Sequence, residues 1–345
     1  MNVIFIFLSK RFLLSLPLLL IIVLQGCSWP KANHIKSGFE QSMLTDDGGA
    51  LINQISGMTH FSDLILFIAQ KENRLFYTEV RNALGALERG EKLRLKSISL
   101  EGAFPSEASW EAITVAEIDG VSRLFLSYEH LGDDSTKIGN FHKIYVANLG
   151  LRKRILHVSE VKEFSDALPV NNNKAIPVED QTNFGYEAIE WIEQNRQLVL
   201  LPELNGLDSI TLDEYGEIHH FSKIKHEFRI SDMASSNGDQ CLIVSSFCYK
   251  SDPVCKKSNK QSKLTLAQLR LNNNAMQIGK TVDISTAVID METLDGLGMD
   301  TFNAEGISII GDDILLVNDN EPSKGVGSML RKIKLPRNLQ ELCKI

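Results

Sequence analysis

The sequence predicts an all-β fold of radially repeated units, a five-bladed β-propeller, and three observations carry that expectation. A short phrase recurs five times: Ile55-Ser56-Gly57-Met58, Trp110-Glu111-Ala112-Ile113, Tyr186-Glu187-Ala188-Ile189, Ile230-Ser231-Asp232-Met233 and Ala304-Glu305-Gly306-Ile307. After each copy come a turn and an apolar run, at 64–69, 124–127, 198–201, 242–246 and 314–317. Short alternating runs separated by Gly, Asn and Asp occupy much of the remaining chain, which is strand patterning. A unit repeated every few tens of residues, each opening with a strand pair, is the signature of a radial repeat.

Taken in order, the chain opens with a segment that is not part of the repeat. Lys10 and Arg11 precede an apolar stretch at 12–24 that ends in Leu24-Gln25-Gly26-Cys27. A basic start, an apolar core of this length and a small residue before the cleavage point read as a secretory signal. Leu-x-Gly-Cys resembles the bacterial lipobox, which implies lipidation of Cys27 and, with Ser28 rather than Asp next, sorting to the outer membrane. The expected organisation is a signal peptide at 1–26, lipidated Cys27 with a polar tether to residue 50, and the propeller over 51–345.

Blade one is expected from Ser56, with further strands at 64–69, 74–78 and 93–100. Blade two runs from Glu111 through 124–127, 143–146 and 154–158, and blade three from Glu187 through 198–201, 209–212 and 218–221. Blade four runs from Ser231 through 242–246, 263–266 and 281–284. Blade five, from Glu305 through 314–317 and 329–333, lacks a fourth strand, and a strand around Leu51 is the expected donor. The intervals from Glu111 to Glu187 and from Ser231 to Glu305 are long. Their excess lies in polar segments at 161–184 and 250–262, read as loops with room for a sixth blade.

The formal charge is −8, and losing Lys10 and Arg11 with the signal makes the mature chain more acidic. No basic stripe is present, so electrostatic binding to a nucleic-acid backbone is excluded. Beyond Cys27 the cysteines are Cys241, Cys248, Cys255 and Cys343. An even number in an exported chain permits disulfides in any of three pairings. Cys248 with Cys255, across a turn, and Cys241 with Cys343 are the preferred arrangement. Zinc is disfavoured because Cys-x-x-Cys is absent.

In a propeller the first strand of each blade lines the channel and runs antiparallel to the second, so the start of one and the end of the other share a face. Ser56, Glu111, Glu187, Ser231 and Glu305 would therefore ring one mouth. Converging carboxylates need raised pKa values or a bound cation, and calcium accepts six to eight oxygen ligands in flexible geometry. A hydrated rim without fixed metal is the competing reading.

The second strands end at the same mouth, adding Gln70, Glu129-His130, Glu203 and Asn318-Asp319-Asn320. Metal-assisted hydrolysis needs a base to activate water and an acid for the leaving group, so Glu129 or Asp319 is the expected base and His130 the acid. Against this, Asn and Asp at strand ends serve turn geometry, and His219-His220 reads as surface or packing. Gly-x-Ser-x-Gly, a Walker loop and His-Glu-x-x-His are all missing, which disfavours serine hydrolases, P-loop enzymes and zinc peptidases.

The stretch from Glu305 to Glu321, Glu-Gly-Ile-Ser followed by Leu-Leu-Val-Asn-Asp-Asn-Glu, resembles the esterase-like or phytase-like propellers of bacteria. The order Ser, Glu, Glu, Ser, Glu over five blades is similar to the calcium-activated nucleotidases. That likeness implies a central calcium on Ser56, Glu111, Glu187, Ser231 and Glu305. Gln70-Lys71-Glu72 and Glu203 depart from the nucleotidase pattern, which places an acidic pair followed by Arg and then basic residues there, so nucleotide hydrolysis is not implied. The combined expectation is a lipid-anchored envelope propeller with calcium at its mouth that hydrolyses small esters or phosphoesters. The alternative is a non-catalytic propeller that binds a carbohydrate, peptide or envelope protein around a structural calcium.

Overall fold

The computed structural model describes residues 40–104, 109–130, 141–166, 168, 185–203, 208–225, 229–235, 241–247, 265–270, 282–283, 304–318 and 327–334. The first strand, β1 (Glu40–Thr45), belongs to the last sheet. Blade one is β2 (Ile55–Phe61), β3 (Leu64–Ala69), β4 (Arg74–Glu79) and, after helix α1 (Val80–Arg89) and the two-residue β5 (Leu93–Arg94), β6 (Lys96–Ser99). Blade two is β7 (Trp110–Ile118), β8 (Val121–His130), β9 (Phe141–Arg152) and β10 (Ile155–Val158), with β11 (Lys162–Glu163) also paired to β9. Blade three is β12 (Ala188–Ile192), β13 (Gln197–Leu201), β14 (Asp208–Asp213) and β15 (Ile218–Lys225). Blade four contributes β16 (Arg229–Ser235), β17 (Cys241–Phe247) and β18 (Thr265–Arg270), and the short β19 (Val282–Asp283) follows it. Blade five is β20 (Ala304–Ile310), β21 (Asp313–Asn318) and β22 (Met329–Lys334).

The innermost strands touch in cyclic order, β2 to β7 to β12 to β16 to β20 and back to β2. Among the described residues, five blades therefore close the ring. Closure is made by β1, which pairs antiparallel with β22 (Glu40↔Lys332, Met43↔Met329). The closing strand thus comes from residues 40–45, inside the stretch read as tether, and not from around Leu51, which makes only a single bridge to Thr45. Without β1 the outer edge of β22 would stand open as a template for another chain.

Two further expectations are corrected. The fourth strand of blade one splits at Leu95: β6 pairs with β4, whereas β5 pairs in parallel with β1 of the neighbouring blade. Likewise β19, expected as the outer strand of blade four, pairs in parallel with β15 of blade three. In both cases the outer connection hands a short strand to the preceding blade, which a strand pattern alone does not show. Helix α1 was not anticipated. Ala83, Ala86 and Leu87 form its buried stripe, Gly90 ends it at φ 63°, and it covers the seam where β1, β4, β5 and β22 meet.

The second strands carry apolar runs because neighbouring blades bury both of their faces; every residue of β3 is buried. Between blades one and two, Trp110 meets Tyr128 and Tyr145 edge-on at 5.2 and 5.6 Å, centring one such layer. Phe125 stacks on Trp191 between blades two and three. Cys27, Cys248, Cys255, Cys343 and the polar segment at 250–262 lie outside the described residues, as do most of 161–184 and the side chains of Cys241, His219 and His220.

Candidate functional site: a carboxylate mouth

The recurring phrase marks a backbone irregularity. Pairing of the first two strands skips a residue between Ile55 and Gly57, Trp110 and Ala112, Ile230 and Asp232, and Ala304 and Gly306. Ser56, Glu111, Ser231 and Glu305 are the extra residues of these four bulges, and Glu187 directly precedes β12. A bulge re-aims a side chain, here at the axis end of the blade. The small residue that follows is also explained: a Cβ on Gly57 would lie 3.1 Å from backbone atoms of Ala112 and Ile113, and one on Gly306 2.9 Å from Met58 N. Inner strands approach too closely there for a branched side chain.

The two serines of the ring are engaged by their surroundings. Ser56 Oγ donates to the Trp110 carbonyl at 2.5 Å, tying blade one to blade two, and Ser231 Oγ lies 3.0 Å from Ser245 Oγ. The carboxylates gather over blades two and three. Glu111, Glu129, Glu187 and Glu203 are each less than a tenth exposed, and Glu305 is half-buried. Backbone bonds fix these positions: Trp110 N to Gln70 O, Glu129 N to Ser109 O, Glu203 N to Gly185 O, and Ile230 N to Glu203 O, at 2.9–3.0 Å.

Burial, with the charge of Glu129 next in weight, pushes the Glu111 carboxyl up to about 8, although Ser109 Oγ (2.6 Å) and Gln70 Nε2 (3.2 Å) donate to it. Glu187 is raised well above the ordinary range by burial and by the charges of Glu111, Glu203, Glu129 and Glu305. The site also holds positive or protonatable partners: Arg229 Nη1 donates to Glu203 Oε1 at 2.8 Å, and His142 Nε2 lies 3.2 Å from Glu129 Oε1. His142 is buried, and its Nδ1 has no hydrogen-bond partner among the described residues. A Cβ on Gly185 would stand 2.4 Å from Glu187 Oε1 and 3.2 Å from His142 Cε1, so the bare backbone there cradles the Glu187 carboxylate beside the imidazole.

Of the residues expected from sequence, the structure brings together Glu111, Glu187, Glu305 and Glu129. His130 ends β8 with its side chain outside the described residues, and Asp319 lies outside them altogether. Asn318 Oδ1 accepts from Met329 N at 2.6 Å, the turn role weighed for that stretch. Sequence reasoning missed His142, which faces Glu129 across the β8–β9 ladder; only hairpin register reveals it. It also missed Asp232, the one repeat copy with a charge where the others carry Gly or Ala. Asp232 is fully buried and accepts from Met233 N and Ile307 N, both at 2.8 Å. Burial holds its carboxyl well above the ordinary range.

Comparison with known proteins adds little. No protein-family model and no curated protein matches the chain. Among solved structures, Myxococcus xanthus glutaminyl cyclase is similar at 10% identity and TM-score 0.45, over 85% of this chain and 93% of that one. The α-L-arabinofuranosidase of Lactobacillus brevis gives 8% and 0.42, over 81% and 91%. The β-propeller domain of Cps50 (Swd1) from Myceliophteria thermophila gives 12% and 0.36, over 82% and 74%. The class defined by the fold and site is a five-bladed β-propeller with an acidic mouth, and no family match supports the esterase, phytase or nucleotidase specifics.

Proposed function

We propose that the mouth binds a divalent cation, calcium, and hydrolyses small esters or phosphoesters, in a propeller held at the outer membrane through lipidated Cys27. The observation that carries this reading is the group of five carboxylates, four of them buried, among which Glu111 and Glu187 are raised by burial and by their neighbours' charges. The donor chemistry fits: the oxygens suit a hard cation, and Gly185 leaves the Glu187 carboxylate room. Among the described residues no three His, Cys, Asp or Glu side chains are grouped to share an ion. Glu111 and Glu187, the two mouth carboxyls that burial and neighbouring charge raise, are the residues that would hold it. When bound, calcium polarises the substrate's carbonyl or phosphoryl oxygen.

The chain's own groups do the remainder. Gln70 and Ser109 orient Glu111, and Arg229 holds Glu203. Glu129, paired with His142, takes the proton of the attacking water. Burial of these groups keeps bulk water from screening them. The test is calorimetric titration of the mature domain with calcium beside Glu187→Gln, followed by an ester and phosphoester screen with and without chelator. One site that the variant lacks, together with chelator-sensitive turnover, is the expected result. Binding without turnover on any substrate would favour a binding propeller with structural calcium, and no binding at millimolar calcium would end the metal reading.

A further inference from the structure

We propose that the turns at the far ends of blades two and three form a membrane-docking face. There Val121, Ile155 and Tyr215 meet anionic phospholipid headgroups, with Lys153 and Arg154 as counter-charges, and the carboxylate mouth faces the aqueous compartment. Of the four large apolar side chains exposed among the described residues, three are these: Val121 at 41%, Ile155 at 56% and Tyr215 at 77%. All three sit at hairpin turns opposite the mouth, since β7, β9, β12 and β14 run away from it and their partners run back. An aromatic ring with a polar tip, beside aliphatic and basic side chains, suits the headgroup layer.

The β9–β10 turn is the second observation. Arg152 pairs with Ile155, leaving a two-residue loop of Lys153 and Arg154 at φ 51° and 64°. Such a turn favours Asn-Gly or Asp-Gly, and the corresponding loop at the β7–β8 hairpin is Asp119-Gly120. Here two side chains in a left-handed conformation, both basic and exposed, stand in its place. Local folding does not call for that choice, whereas attraction to an anionic surface does. Of the acidic residues of the neighbouring turns, Asp119 and Glu214 are paired with Arg196, Glu193 accepts from Trp191 Nε1, Asp213 accepts from the Tyr215 and Glu217 N–H groups, and the Glu217 side chain is exposed.

The third observation is where the chain enters. Met329 begins β22 at the mouth and Lys332 lies toward its far end, so Glu40, opposite Lys332, places the start of β1 on the far face. This part rests on the lipid-anchor reading: segment 28–39 reaches roughly 40 Å at full stretch. Turning the mouth to the membrane would route it back along a blade about 20 Å high. The substrates of the mouth would then be water-soluble molecules and not lipids of the anchoring leaflet.

The experiment is co-sedimentation of the unlipidated chain from Ser28 onward with phosphatidylglycerol-containing vesicles, in chelator, against pure phosphatidylcholine vesicles. The double variant Lys153→Asn/Arg154→Gly installs the favoured turn pair, so the hairpin is retained. Loss of two basic residues should weaken binding to the anionic vesicles about 30-fold, Tyr215→Ser should weaken binding to both kinds, and Lys71→Asn at the mouth rim should change neither. Absence of wild-type binding, an unchanged double variant, or an equal loss with Lys71→Asn would overturn the proposal. Chelator makes the outcome independent of calcium, and omission of the lipid makes it independent of Cys27.

Discussion

Replacing Glu111 by Gln removes one charge from the mouth at nearly constant volume. The wild-type carboxyl titrates near 8 in the fold, against 4.5 for an ordinary glutamate. Between those values the folded chain holds a proton that the unfolded chain releases, so stability is highest below pH 4.5 and is lost as pH rises through 8. The interval corresponds to ~5 kcal/mol at most for this group. At pH 5 the variant should unfold within about 1 kcal/mol of wild type, because a Gln oxygen still accepts from Gln70 and Ser109. At pH 9 without cation it should be the more stable protein by several kcal/mol. Calcium should narrow that gap, since a ligand at a hundred times its Kd stabilises the wild type by about 2.7 kcal/mol and the variant lacks a donor. The assay is urea unfolding followed by tryptophan fluorescence at pH 5, 7 and 9, with calcium or chelator, the pH values bracketing a carboxyl near 8. Wild-type and variant stabilities that run parallel across this range would refute the account of a buried, mutually repelling cluster.

Three other perturbations probe the same architecture. Gly185→Ala, whose Cβ would meet Glu187 Oε1 at 2.4 Å, should cost calcium at least about tenfold in affinity by calorimetry, while moving the thermal midpoint little because the displaced carboxylate is a side-chain end. Asp232→Asn should lower stability by ~2–4 kcal/mol in urea titration, since its amide turns an N–H toward the Ile307 or Met233 N–H that the carboxylate now accepts; equal stability would show that the buried carboxylate is dispensable. Leu44→Ala, at a fully buried position of β1, should cost ~2–5 kcal/mol, and hydrogen exchange should speed up at β22 and β1 before the other blades if closure is the weak seam.

The sequence by itself determined the unit of the fold and the position of its polar residue. The five-fold phrase and the apolar run after it follow from physical demands that recur around the ring: a strand start at the axis that is bulged in four of the blades, a small residue where inner strands approach in all but blade four, and a largely buried second strand between neighbouring blades. For that reason Glu111, Glu187 and Glu305 were legible without coordinates. Tertiary structure alone decided what depends on contacts between distant segments. Closure by β1 was illegible because Glu40–Thr45 mixes polar and apolar residues on both faces and acquires its meaning only against β22, nearly the whole chain away. The parallel additions of β5 and β19 join neighbouring blades and leave no periodic trace of their own. His142 faces Glu129 through the pairing register of β8 and β9. Ser56 and Ser231, read as ring ligands, have their hydroxyls engaged by Trp110 and Ser245. The raised proton affinities of Glu111 and Glu187 likewise arise from burial and from the carboxylates around them, quantities that no single residue carries until the ring has closed.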